Sequence, residues 1–218
     1  MAADIALNPI TIIVLLIALS LAPFAILLVS SFVKMVIVMN LVRNALGVQQ
    51  VPPNMVLNGL AIMLSIYVMF PVVKEIGVFG ANISMEFDSL EKIKAVANTL
   101  QAPIQKFLDK HASQKHKVFF LKTARKLWPM QDAEKLQSEN LLVLIPAFTV
   151  TELTDAFQIG FLLYLPFIAV DLIVSNILLA LGMMMVSPMT ISLPFKLMLF
   201  VIVDGWSRLI HGLVLTYR

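Results

Sequence analysis

Cysteine is absent from the 218 residues. That excludes a disulfide framework, zinc sites built on cysteine, and thiol catalysis. It leaves the compartment open, because a cysteine-free chain tolerates oxidising and reducing surroundings alike. Charge is scarce as well: Asp, Glu, Lys and Arg make up 13% of the chain, where a soluble domain carries about 25%. Catalytic signatures are missing too, with neither an H-E-x-x-H helix nor a glycine-rich phosphate loop. The three histidines, His111, His116 and His211, are expected on solvated surface. No internal repeat or low-complexity tract breaks the chain. The opening MAADIALNPI has Asp4 as its only charge and no basic region before the apolar run. It makes a poor secretory signal, so the first apolar segment is expected to be retained. An enzyme is not expected, nor a cofactor or a metal.

What is present is apolar. Hydrophobic residues make up 60% of the chain and the mean hydropathy is +0.92. The expectation is an all-α integral membrane protein of helical hairpins with a small helical insert outside the membrane. The net charge of +3 needs only basic residues near lipid headgroups, and no nucleic acid.

Three parts are read along the chain: 1–73, 74–140 and 141–218. In the first, Ile10 to Val33 is long enough for a span, which takes roughly 20 apolar residues, with a kink expected at Pro23. RNALGVQQVPPN, Arg43 to Asn54, carries Gly47 and Pro52-Pro53 and is expected to turn. Met55 to Val73 is expected to be a helix closing at Pro71. The middle part holds 11 of the 16 Lys and Arg. There Asp88 and Glu91 read as a helix start, with Ile93, Val96, Ala97 and Leu100 at helical spacing. A second helix is expected after Pro103 and a third over Val118–Trp128, ended by Pro129. Phe119, Phe120 and Trp128 are expected to pack on the insert's own core or on a neighbour. In the last part, Leu141 to Val186 is too long for one span. It is expected to be two helices broken at TELTD, or a bent hairpin. Met189 to Val203 is a further apolar region, and SRLIHGLVLTYR a short basic tail.

Six charges sit near the apolar segments: Lys34, Arg43, Glu152, Asp155, Asp171 and Lys196. An Asp, Lys or Arg at the centre of a span costs about 2.5 to 3.5 kcal/mol. Such groups pair, or sit away from lipid. Asp171 with Lys196 and Lys34 with Glu152 are candidate pairs, within one subunit or between copies. Snorkelling to the headgroups is the bland alternative for Lys34, Arg43 and Lys196. Glu152, Asp155 and Asp171 could also serve as the ion path of a self-contained ion-coupled secondary transporter. Such proteins usually show internal repeats and more spans.

Scattered methionines such as Met35, Met39, Met63 and Met69 read as gap-filling core residues. Met183, Met184 and Met185 stand in a row before Ser187-Pro188. Three consecutive helical residues point three ways, so this block suits a loop or a helix end. Copies around an axis would project a ring of unbranched, polarizable side chains. An apolar constriction of that kind gates ions by dewetting.

RNALGVQQVPPN, LIPAFTVTELTDAFQIGFLLYLPF, LGMMMVSPMTISLPFKLMLF and DGW together resemble the R component of type III secretion export apparatuses, the family to which the flagellar protein FliP belongs. The resemblance covers nearly the whole chain and is least diagnostic over 74–140. It implies the core of an export gate in the bacterial inner membrane, through which unfolded proteins pass. Five copies would assemble helically with smaller S-type and T-type membrane partners, largely raised on the periplasmic side. The family's methionine gasket maps onto Met183, Met184 and Met185. Its subunit-contact carboxylate maps onto Glu152, and its intramembrane charges onto Asp171 and Lys196, roles in assembly or gating rather than chemistry. The family places the 74–140 insert in the periplasm, although its basic residues alone would favour the cytoplasm. The positive-inside rule weakens for loops near about 60 residues. NALGVQQVPPN and the N-terminus favour the injectisome branch over the flagellar one.

Overall fold

The computed structural model describes residues 9–48, 50–80 and 90–218. Every regular element among them is a helix: α1 (Pro9–Val29), α2 (Phe32–Ala45), α3 (Asn54–Gly80), α4 (Leu90–His111), α5 (Gln114–Leu127), α6 (Met130–Ala133), α7 (Leu141–Ala180), α8 (Pro188–Ile202) and α9 (Gly205–Leu215). Asn54–Gly77 and Leu141–Ala180 are each long and apolar enough to cross a membrane. The pairs α1–α2 and α8–α9 pass the same test as broken spans. The chain is an all-α membrane protein.

Proline interrupts these helices less than the sequence suggests. α3 runs through Pro71 to Gly80, and α4 is one helix through Pro103 rather than two. α7 passes Pro146, TELTD and Pro166 without a break over 40 residues. Two of its threonines bond back to carbonyls of the helix itself. Thr149 Oγ1 donates to the Ile145 carbonyl at 2.8 Å and Thr151 Oγ1 to that of Ala147 at 2.7 Å, so TELTD needs no turn. At 1.5 Å per residue, α7 rises about 60 Å, twice the hydrocarbon thickness of a bilayer. The expected helix start at Asp88 lies outside the described residues, as do the side chains of Glu91, Ile93, Val96, Ala97 and Leu100 and the segment 1–8. The expected tail is a further helix, α9.

The described chain forms two compact units. One comprises Met1–Ser31 and Met69–Glu152. α5 forms there because Phe120, Leu121 and Ala124 recur at helical spacing and pack on Leu136 and Val143. Trp128 caps it by donating its backbone N–H to the Ala124 carbonyl at 2.9 Å, and Pro129 stops it. Phe107 of α4 meets Phe148 of α7 edge to face at 5.7 Å. Both are buried with Leu108, Leu144 and Ala147. Each such large side chain contributes about 1.5–3 kcal/mol. Lys117, buried, donates to the Asp109 carboxylate at 2.6 Å and to its carbonyl at 2.7 Å, closing the α4–α5 turn.

The other unit comprises Phe32–Val68 and Leu153–Arg218. α2 buries Met35, Val38, Met39, Val42 and Ala45, one helical face. Leu41 approaches α7 so closely at Gly160 that a Cβ there would lie 2.2 Å from its Cδ1. Phe200 stands between Phe167, at 6.4 Å, and Trp206, at 5.4 Å. α8 and α9 diverge by 61° at Asp204, whose backbone is left-handed.

Candidate functional site

The turn between α7 and α8 is built by chain punctuation. Gly182 adopts φ +73°. Its N–H donates to the Leu179 carbonyl at 3.0 Å, and that of Met183 to Leu178 at 2.9 Å. These two bonds make a Schellman ending with glycine at the left-handed position. Six residues on, Pro188 opens α8, where its missing N–H costs nothing. Between them the methionines stand outward. Met183 is 44% exposed, Met184 81% and Met185 100%. They occupy a turn at a helix end and form no helical face.

Below this turn α7 and α8 are joined by polar side chains. Lys196 Nζ donates to Asp171 Oδ2 at 2.6 Å, and Ser192 Oγ donates to Oδ1 at 2.5 Å. Ser192, Lys196 and Phe200 form the buried face of α8, four residues apart. Lys196 is 2% exposed, so its ammonium is enclosed by protein rather than extended to headgroups. Asp171 is the more open partner, with 35% of its side chain exposed. Beside this joint lies an apolar groove of 380 Å³, lined by residues that include Ile173, Ile177, Ile191 and Phe195.

Lys34 is also enclosed, at 3% exposure. It sits 3.3 Å from Asp155 Oδ2 and 4.4 Å above the Tyr217 ring, a position that suits a cation over an aromatic face. Glu152 is fully buried on α7. Arg43 holds the α2–α3 connection together, donating to Pro52 O (3.1 Å), Asn54 Oδ1 (2.6 Å) and Asn40 Oδ1 (2.9 Å). That connection lies against the start of α8: a Cβ at Gly47 would come within 3.9 Å of Lys196 Nζ and 4.0 Å of Met189 Cγ.

The structure brings Asp171 to Lys196 and Lys34 to Asp155. Sequence reading overlooked Ser192, Tyr217, Asn40 and Asn54. Ser192 had a signal, since it precedes Lys196 by one helical turn; Tyr217 had none. His211 is exposed as expected, while the other two histidines are less solvated. His111 packs on Phe107 at 4.7 Å, and His116 Nδ1 lies 2.9 Å from Thr151 Oγ1. That hydroxyl already gives its proton to Ala147 O and accepts one from the Ser113 N–H, so Nδ1 is the donor. No group of three or more His, Cys, Asp and Glu among the described residues is arranged to hold a metal. The arrangement is one of helix joints, turns and exposed apolar surface.

Related proteins match this sequence along nearly its whole length. The chain is 52% identical over 210 residues to "Yop proteins translocation protein R" of Yersinia pestis, covering 96% of this chain and 97% of that protein. It is 51% identical over 211 residues to "Hypersensitivity response secretion protein HrcR" of Ralstonia nicotianae, covering 95% and 97%. "Virulence protein YscR" of Salmonella typhimurium is 46% identical over 218 residues, covering 96% and 97%. The FliP family model matches residues 15–213, and the chain belongs to the FliP family.

Proposed function

We propose that this chain is a core subunit of a type III protein-export apparatus. With further copies of itself it forms the pore through which unfolded proteins cross the bacterial inner membrane. Relatives named for translocation and secretion, similar over almost their whole length, support the apparatus. The observation that carries the pore is the methionine turn. A hydrophobic tip at 81% and 100% exposure is a poor ending for an isolated chain. It becomes sensible where several tips meet. Five copies around an axis would put fifteen flexible thioethers into one constriction, by the copy number the resemblance implies and the three methionines of this turn. Such a ring closes without polar atoms and yields to side chains of any shape. The root of each tip is held by the Asp171–Lys196–Ser192 joint, so opening displaces methionines before it displaces helices.

In this reading the smaller S-type and T-type membrane proteins complete the assembly, and the insert stands on the periplasmic side. Lys34 and Glu152 act from inside the chain, keeping α2 and α7 in the shape that a neighbouring copy meets.

Two measurements test the proposal. The native mass of the detergent-extracted complex, co-expressed with S-type and T-type partners, is expected to contain five copies of this chain. A stable partner-free monomer would overturn the pore. Met183, Met184 and Met185 replaced together by alanine are expected to raise ion leakage while secretion continues. Leakage at the parent level would sink the seal.

A further inference from the structure

α5 carries five cations and no acid: Lys115, Lys117, Lys122, Arg125 and Lys126. Lys117 is committed to Asp109. The other four are exposed. Lys115, Phe119, Lys122 and Lys126 follow at i, i+4, i+7 and i+11, which makes them one stripe of the helix. Phe119, in the middle of this lysine stripe, is 58% exposed. Directly after the stripe in sequence come Leu127, 75% exposed, Trp128 at 36% and Met130 at 78%. Arg125, Trp128 and Met130 line one open depression of 590 Å³, together with Ala133 and Glu134. Of the acids nearest in sequence, Asp109 is paired with Lys117, Asp132 lies in α6 and Glu134 caps its end.

A merely solvated face has no need of a phenylalanine between lysines, or of a leucine, a tryptophan and a methionine in succession at its end. Lysines flanking large apolar and aromatic side chains are the composition of a helix that lies in a lipid interface. The rings and thioether enter the headgroup boundary and the ammonium groups meet phosphates. We propose that this surface of the insert docks on a bilayer containing anionic phospholipid. Charge complementarity selects such a lipid over a zwitterionic one, because each lysine near a negative surface adds to binding and salt screens it. The bilayer is also the partner always at hand. The same chain has helices long and apolar enough to cross it, and a chain so anchored docks intramolecularly, with a high effective concentration.

Trp128 reports on this surface. Only two tryptophans exist in the chain, and Trp206→Phe keeps an aromatic ring against Phe200 while leaving Trp128 as the sole tryptophan, excited at the red edge where the three tyrosines do not absorb. The full-length W206F protein is reconstituted in nanodiscs of phosphatidylcholine, or of phosphatidylcholine with about one-third phosphatidylglycerol, an anionic content that gives a negative surface potential. Some of the lipids are brominated high on the acyl chain. Docking predicts that Trp128 is quenched by brominated lipid in the anionic discs only. The quenching is expected to disappear at high salt and in a K115E/K122E/K126E variant, whose changes fall on exposed positions and leave helix content intact. Equal quenching by aqueous acrylamide in both discs would overturn the proposal, and so would equal quenching by lipid in both. Shielding from both quenchers in both discs would overturn it in favour of a protein cover, a second copy or another subunit.

Discussion

Lys196 and Asp171 are unequal partners, and the inequality decides what each substitution does. The ammonium is almost wholly enclosed, with 3% of its side chain exposed, while the carboxylate keeps 35%. Asp171→Asn removes the charge opposite a buried cation. Leaving such a group uncompensated costs about 3–5 kcal/mol. Lys196→Met leaves an anion that still reaches solvent and still accepts from Ser192, so it is expected to cost less. The double variant restores neutrality and is expected to be more stable than Asp171→Asn alone. Unfolding midpoints in one detergent test this ordering, and equal losses for the two single variants would refute it. Part of this joint was legible in the sequence. Two opposite charges on neighbouring apolar segments had to be paired or kept from lipid, and that much follows from the energy of burial. Lys34 shows the limit. One carboxylate beside it, at 3.3 Å, is Asp155, and its aromatic neighbour is Tyr217, 183 positions away in the chain. Nothing in spacing announces a contact of that range.

At the scale of the element, helix ends were easier to foresee than helix interiors. Ser187-Pro188 marks the break after the methionines in the sequence and opens α8, and Pro129 stops α5, as proline's backbone preferences require. Proline within an apolar run misled instead. Pro71, Pro103, Pro146 and Pro166 read as breaks, because an interior proline removes a hydrogen bond and costs about 3 kcal/mol in an isolated helix. Packing from neighbours and local adjustment of the helix absorb that cost in a membrane protein, and the sequence contains no mark of it. The turn itself makes a sharper prediction. Gly182 at φ +73° has no atom within 4 Å of where a Cβ would stand, so Gly182→Ala meets backbone strain alone. The expected loss is about 1 kcal/mol, with Gly182→Asn milder, because asparagine tolerates the left-handed region. A lowered unfolding midpoint for alanine, partly recovered by asparagine, checks it. If alanine were neutral, the glycine would not be what closes α7. If the turn holds the seal, Gly182→Ala also raises leakage through methionines that are themselves unchanged.

At the scale of the whole molecule, much of the apolar surface faces outward, as on α3, where Met55, Met63, Tyr67 and Phe70 are all more than half exposed. Lipid can cover such a surface, and a neighbouring subunit, in the assembly proposed above, can do the same. The charged residues separate the two. Glu152 has no exposed surface, so it does not meet another copy directly while the chain keeps this shape. Its effect on assembly has to pass through the fold. Glu152→Ala removes the side chain and leaves a cavity where a full carboxylate was packed, which relaxes the stretch of α7 around it. Glu152→Gln keeps the volume and much of the hydrogen-bonding capacity while removing the charge. If Glu152 acts by holding shape, native mass measurement is expected to find the Ala variant dispersed into subunits and the Gln variant largely assembled. If it acts by charge, both variants disperse alike. An assembly that stays intact in both would leave Glu152 with no part in it. The rule of neutral replacement being milder than truncation then applies to Lys34 as well. Lys34→Met retains a long apolar stem at this buried position and gives up the ammonium beside Asp155 and Tyr217. Asp155, with 43% of its side chain exposed, stays hydrated, so the complex is expected to lose stability in detergent and keep its copy number.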